Sequence, residues 1–458
     1  MTPLWTSAEI AAATGGTANA DFVVSGVTFD SREVGPGDLF VALRGATTDG
    51  HRFLDQSRAQ GAAGALVGAD WDGPQVRVAD TMAALEALAQ ASRARMAGRV
   101  IGVTGSVGKT GTKEALFAAL DRSAPGEVHR SVKSYNNHTG VPLSLARMPR
   151  AMRFGVFEMG MNHAGELSAL TRIVRPHCAL ITAIAPAHIE FFKDESGIAD
   201  AKAEIFEGLE PGGTAIVPFD SVHYPRLRAA AERHAGRVVS FGSGAGADVR
   251  ALESMRTRSG GTYLSARVGA HEVNLTLAQP GGHWVSNALC VLAAVDAVGG
   301  DLGLAALALG ELGGLAGRGE RTRIDLGAGD PVLLIDESYN ANPASMRATL
   351  AVLGEEAAAR RIVVLGDMRE LGADSPGYHA ALAEPIVAAG VDFALLVGPE
   401  MAALASALEG RVDFVHVVDA ASARERAVAL VRPGDAVLVK GSNGIGLAAV
   451  VTALKART

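Results

Sequence analysis

The segment IGVTGSVGKT, residues 101–110, places a lysine and a threonine at the end of a glycine-containing loop. That combination is suited to holding phosphates. Backbone N–H groups of Gly105, Ser106, Val107 and Gly108 cradle the anion, Lys109 pairs with the outer phosphates, and the Thr110 hydroxyl is available to Mg²⁺. The loop follows an apolar run, RVIGVTG, and opens a helix-like stretch, TKEALFAAL, which is the strand-to-helix context such chemistry needs. The common pattern has glycine five positions before Gly108. This chain has Val103 there, flanked by Gly102 and Gly105. The competing reading is a glycine-rich turn without a ligand, and GKT in this context favours phosphate. The expectation is a chain that binds a nucleoside triphosphate and transfers its terminal phosphate.

Three further residues have types and positions that invite chemistry. Glu158 ends the apolar run of FEMG (157–160), where open α/β sheets place ligands. It is read either as a Mg²⁺ ligand or as a salt-bridged strand-end carboxylate. His188, in ITAIAPAHIEFF, follows the next apolar run and is either structural or a metal or phosphate group. In IADAKAEIFEGL (198–209), Ile198, Lys202, Ile205 and Leu209 fall on one helix face. A lysine on that apolar stripe either snorkels to solvent or needs a partner or a chemical change. SYNNHTGVP (134–142) and DESYNANP (336–343) are polar turns by themselves, the second opening a helix near Pro343. KGSNGIG (440–446) reads as a structural glycine-rich turn.

The elements that must position these residues are strands alternating with helices. FVVSGVTFD, DLFVAL and GAAGALV precede an alanine-rich helix in residues 1–95. RVIGVTG, FGVFEMG, CALITAI and GTAIVPF read as buried parallel strands of a second region, 96–312. Short alternating strands around 247–277 and a helix at about 285–299 complete it. After the glycine-rich GELGGLAGRGER (310–321), PVLLIDES, RIVVLGDM, DFALLVG and DAVLVKGS are four strands of a third region, 313–458. The fold class is α/β, in three domains.

With 458 residues and 48% hydrophobic content the chain has the makeup of a multidomain globular protein. Its net charge of −7 argues against nucleic acid as a partner. The start, MTPLWTSAEIAAATGG, lacks the basic and apolar segments of a signal peptide. No apolar run reaches the length of about 18 residues that a membrane span needs. Cys178 and Cys290 sit in apolar runs and read as buried thiols of a reducing compartment. A cytoplasmic location is expected.

Taken together, GVTGSVGKT, SYNNHTGVPLSL, EMGMNHAGEL, APAHIEFF, AKAEIF, HWVSNAL and DESYNANPASM occur in the order and spacing of the Mur ligases of peptidoglycan synthesis, and the chain resembles that family over essentially its whole length. DESYNANPASM, LGDMRELG and VLVKGS are most similar to the branch that adds D-alanyl-D-alanine to UDP-N-acetylmuramoyl-tripeptide. The resemblance implies a UDP-sugar domain, a central P-loop ATPase and a C-terminal Rossmann-like domain for the incoming dipeptide. It implies ATP and Mg²⁺ as cofactors and an acyl phosphate intermediate, with closure about the segment near 310–320. Ser31 and Arg32 of FDSREV would meet the uridine nucleotide. Gly105 to Thr110 would hold ATP, and Thr110 and Glu158 one Mg²⁺. His188 would stand near a second Mg²⁺, and Lys202 would be carbamylated. Asn287 would lie near adenine, Arg318 and Asp336 near γ-phosphate and ribose. Asn136 and Asn137 would lie by the acceptor, and Asn340 and Asn342 would contact substrate. The chain departs from the family at Asn443, where many relatives carry Arg, and at Gly111, which replaces a second hydroxyl.

Two other readings stay open on sequence. One is another amino-acid-adding ligase of this type or a folylpolyglutamate synthase, the latter disfavoured by the long N-terminal region and DESYNANP. The other is a regulatory P-loop ATPase in which Glu158, His188 and Lys202 are incidental.

Overall fold

Most of the apolar runs form interior strands of three sheets, while FVVSGVTFD is divided between the edge strand Gly26–Thr28 and Val23–Val24, which pairs with Trp5–Thr6 in a separate two-stranded sheet. The structure is a computed structural model and describes residues 3–45, 47–327 and 329–457.

The first sheet has five short strands in the order Thr17–Ala18, Gln75–Arg77, Gly64–Val67, Asp38–Val41, Gly26–Thr28. The alanine-rich stretch is the helix Thr81–Arg95. Asp80 caps it by accepting the N–H groups of Met82 and Ala83. Ala84, Leu85, Leu88 and Ala89 form its buried stripe. Leu143 and Ala146, on the helix Gly140–Ala146 of the next region, complete this core. The Trp5 indole N–H donates to the Ala146 carbonyl at 2.9 Å. The first region therefore borrows a wall from the second. We expect a fragment of residues 1–95 to expose that wall, bind a hydrophobic dye and melt without a cooperative transition. A sharp melt of the fragment would show that the wall is dispensable.

The second sheet has nine strands. Val128–Arg130, Phe154–Glu158, Arg99–Thr104, Cys178–Ile181, Thr214–Pro218, Arg237–Gly242 and Val249–Arg256 are parallel neighbours in that order. Thr262–Val268 and His271–Leu277 follow as an antiparallel edge. Helices cover both faces of the parallel part, so its strands are apolar on both sides. Arg99–Thr104 is flanked on one side by the strands that follow it directly and on the other by Cys178–Ile181. The connections diverge there and leave a crevice at the carboxyl ends. Cys178 and Cys290 are free and buried, and burial pushes the Cys178 thiol up to about 12.

The third sheet runs Glu320–Ile324, Val332–Glu337, Asp435–Lys440, Arg360–Gly366, Phe393–Val397, Asp413–Val417. All neighbours are parallel except the first pair. The four expected strands are its interior. The two additional strands are its edges, half-exposed and carrying charged residues, so they lack the continuous apolar run that marks a buried strand. A second departure from expectation lies at 198–209. The α-helix Glu195–Ala203 gives way to a 3₁₀ segment, Glu204–Gly208. Ile198, Lys202 and Ile205 remain buried, while Leu209 is half-buried. Among the described residues no helix is long and apolar enough to cross a membrane.

Candidate active site

The phosphate-type loop joins the strand Arg99–Thr104 to the helix Lys109–Asp121. That helix starts at Gly108 with no side-chain cap, so its first N–H groups and the positive end of its dipole are left for an anion. The loop is stitched to the segment after Cys178–Ile181. The Ser106 hydroxyl donates to the Ala185 carbonyl at 2.9 Å, and the Thr182 hydroxyl donates to the Val107 carbonyl at 2.5 Å. Gly105 (φ 150°) and Gly108 (φ 83°) adopt backbone that side chains resist. A Cβ on Gly105 would fall 1.9 Å from the Thr182 hydroxyl, and one on Gly108 2.8 Å from Oδ1 of Asn287. We expect Gly105→Ala to cost about 1–3 kcal/mol in backbone strain. Displacement of the loop by the clash should lower ATP affinity by at least roughly tenfold in calorimetry. Unchanged ATP affinity would mean that the loop does not hold the nucleotide.

The Lys109 ammonium donates to the Gly105 carbonyl at 2.6 Å. Burial holds its pKa below the usual lysine value, Glu158 pulling it back up and Arg318 pushing it further down. Beside it, the Thr110 hydroxyl donates to Glu158 Oε2 at 2.9 Å and the Asn136 amide to Oε1 at 2.7 Å. Glu158 is 1% exposed, and its oxygens are taken by neutral donors rather than by a cation in direct contact. The strand-end salt-bridge reading thus finds no counterpart among the described residues.

Opposite the loop, the third region contributes Arg318, Glu337, Tyr339, Asn340, Asn342 and Lys440 to a cavity of about 500 Å³. The guanidinium of Arg318 stacks on Tyr339 at 4.1 Å and donates to the Ser134 hydroxyl at 3.3 Å, bridging the second and third regions. The same cavity is lined by Ser106, Val107, Gly108, Lys109, Thr110, Asn136, Glu158, His188 and Asn287. Burial lowers the pKa of His188; Glu370 raises it, and Lys109 and Lys202 lower it. A wider hollow of about 950 Å³, between the strand His271–Leu277 and the helix Leu302–Glu311, contains none of these groups.

Most of the other singled-out residues lie outside the lining. Gly105, whose carbonyl accepts from Lys109, is not part of the lining. Asn137 accepts the Gly140 N–H at 2.9 Å and shapes its own turn. Asp336, 5% exposed, accepts the Gly317 N–H at 2.9 Å and the Ser338 hydroxyl at 2.6 Å, so it builds the turn that carries Arg318. Asn342 lines the cavity and also caps the helix Pro343–Gly354. The Lys202 side chain is buried, 1% exposed, and has neither a hydrogen bond nor an ion pair among the described residues. Its pKa is held well below the usual value by burial first and by the Lys109 charge second. Snorkelling is therefore not its solution. Ser31 and Arg32 lie in the first region, where Arg32 forks onto Asp30 at 2.8 and 2.6 Å. The ion pair of Glu33 with Lys133 and the ring contact of Phe29 with Tyr135 bring that segment to the loop holding Asn136.

Thr182, Trp284, Tyr339 and Lys440 join the site without a motif of their own in the sequence. Lys440 closes a strand buried throughout and donates to the Asn340 carbonyl at 3.0 Å. A lysine ending an apolar run is the same kind of anomaly as Lys202, and was the available signal. Among the described residues no cluster of three or more His, Cys, Asp or Glu forms a ready-made metal site. A single buried carboxylate with a hydroxyl beside a phosphate loop suits a hard ion whose remaining ligands come from phosphates and water.

Comparisons with known proteins agree along the whole chain. Family models match three consecutive stretches: the Mur ligase family catalytic domain at residues 23–93, the Mur ligase middle domain at 103–295, and the Mur ligase glutamate ligase domain at 317–443. The chain is 35% identical over 440 residues to a UDP-N-acetylmuramoyl-tripeptide–D-alanyl-D-alanine ligase of Escherichia coli, covering 95% of each. It is 34% identical to the enzyme of that name from Synechocystis, covering 95% of this chain and 93% of the other. A crystal structure of MurF from Acinetobacter baumannii superposes with a TM-score of 0.86 at 32% identity, covering 99% of both chains. MurF ligase from Thermotoga maritima, solved in complex with ADP, superposes at 0.79 with 25% identity, covering 95% of this chain and 98% of the other. A cavity built on a phosphate loop and closed by a third α/β unit, together with this kinship, leads to one assignment: the chain belongs to the Mur ligases, a family of ATP-dependent ligases that form amide bonds.

Proposed function

We propose that this chain joins the free carboxylate of UDP-N-acetylmuramoyl-tripeptide to the amine of D-alanyl-D-alanine, consuming ATP and releasing ADP and phosphate. The observation that carries this reading is the cavity where Lys109, Thr110 and Glu158 of the second region face Arg318 and Asn340 of the third. The substrates follow from the relatives named for that reaction. Residues 1–95 would hold the UDP-sugar, with Ser31 and Arg32 at its nucleotide. Residues 96–312 would bind ATP, and residues 313–458 would bring the dipeptide. A carboxylate oxygen attacks the γ-phosphorus, the bond to the ADP oxygen breaks, and an acyl phosphate forms. The amine then attacks the acyl carbon, the carbon–oxygen bond to phosphate breaks, and the ammonium proton leaves to solvent. Lys109 and Arg318 offset the charge on the transferring group. Asn136, bonded to Glu158, would meet the acceptor chain.

Thr110 and Glu158 fit Mg²⁺ as hard oxygen donors, and His188 with a modified Lys202 would serve a second ion. Bound there, Mg²⁺ neutralises developing phosphate charge. For Lys202 we propose carbamylation. The depressed pKa favours the neutral amine, which attacks CO₂, forms an N–C bond and releases a proton. The product is an anion beside the Lys109 charge. A cytoplasmic location suits a reaction that consumes ATP.

Phosphate release measured with each substrate omitted in turn tests the reading. Release should require both the UDP-muramoyl-tripeptide and D-alanyl-D-alanine. Turnover indifferent to both would instead favour a regulatory ATPase.

A further inference from the structure

Two turns from different regions meet beside the cavity, and each holds a non-glycine residue in left-handed backbone. Among the described residues only four non-glycines have positive φ, and two of them, His188 (60°) and Glu370 (63°), touch each other. Such conformations persist where the surroundings impose them. The ring Nδ1 of His188 lies against the Glu370 carboxylate. The Glu190 N–H donates to the Glu370 carbonyl at 3.4 Å. Between them, Ile189 packs against the cores of both the second and the third region.

Resting on the reading given under the proposed function, we propose that Glu370 is a positioning residue, delivered by the C-terminal region to orient the His188 imidazole toward the cavity. His188 lines the cavity and Glu370 does not, so Glu370 acts through the ring. Both side chains are partly exposed, 27% for His188 and 41% for Glu370, and a polar contact so placed contributes little to holding two domains together. The apolar contact of Ile189 supplies that cohesion. The role left to the carboxylate is directional, since fixing one ring nitrogen decides where the other points. His188 is thereby oriented only when the third region is docked on the second, which couples closure to completion of the site.

The test uses Glu370→Ala and Glu370→Gln in the full chain. Glu370→Ala should lower kcat at least tenfold, with KM for ATP within twofold of wild type and the same melting temperature. Glu370→Gln keeps an acceptor oxygen at the same reach and should retain at least a third of kcat. Histidine-labelled protein, with its 12 histidines, gives a readout independent of turnover. The His188 ring resonances, assigned by their loss in His188→Gln, should move in Glu370→Ala while the others stay. A Glu370→Ala kcat within twofold of wild type, or unmoved His188 resonances, overturns the proposal. If the wild-type chain does not ligate at all, the proposed function falls, and the resonances still decide the positioning role.

Discussion

Lys109→Ala should abolish ligation and leave the fold standing. The side chain sits at the start of the helix Lys109–Asp121 and makes one hydrogen bond, to the Gly105 carbonyl. Losing that bond costs roughly 1 kcal/mol of stability, small beside the packing of the cores around it. The catalytic loss is of another size. Lys109 is the cation held within the phosphate loop, and it is desolvated there, where charge acts more strongly than in water. Removing one preorganised charge-stabilising group typically costs on the order of 10³-fold in rate, about 4 kcal/mol. Product formation followed by chromatography, with a thermal melt on the same sample, checks both halves. A folded Lys109→Ala protein that makes product at near the wild-type rate would sink the assignment of this loop.

Lys202→Arg should be inactive as well, for a reason that separates a chemical role from a charge role. Lys202 is 1% exposed, unpaired among the described residues, and near the Lys109 charge. A buried, unpaired cation beside another cation is unfavourable on both counts, so the neutral amine and its carbamate are the forms that fit. Arginine keeps its proton and forms no carbamate, so substitution should cost at least roughly 10²-fold in kcat. Lys202→Met, apolar and of similar length, guards against a trivial loss of folding. It removes the buried amine, so it should melt no lower than wild type and still be inactive. Formate or acetate added to Lys202→Ala should restore part of the rate by supplying a carboxylate. Incubation of the wild type with ¹³C-bicarbonate should give a carbamate carbon resonance absent from all three variants. A fully active Lys202→Arg enzyme would end the carbamate reading.

What the sequence determined by itself is local. The strand, turn and helix around GVTGSVGKT are contiguous, so the residue types that hold phosphates are adjacent in the chain and their geometry follows from the glycines. Continuous apolar runs identified the interior strands of two sheets, because burial on both faces writes itself into every position. Lys202 was visible as a charge on an apolar face, an anomaly that needs only helical periodicity to detect.

The tertiary structure decided the rest, wherever two distant segments had to meet. Asn136 and Asn137 are neighbours of identical type, yet only Asn136 reaches Glu158, because successive side chains in the turn leave it in different directions. Asp336 matches a position near γ-phosphate and ribose, and the structure shows the part no local pattern announces: its carboxylate accepts the Gly317 N–H and the Ser338 hydroxyl and shapes the turn under Arg318. Leu143 and Ala146 close a core whose other buried members end at Leu88, and no local pattern announces a contact across that separation. Edge strands such as Asp413–Val417 are half-exposed and lose the apolar signature that marked their neighbours. The contact between His188 and Glu370 joins loops from two different sheets. Packing of one domain on another sets it, and hydrophobic periodicity carries no information about that docking.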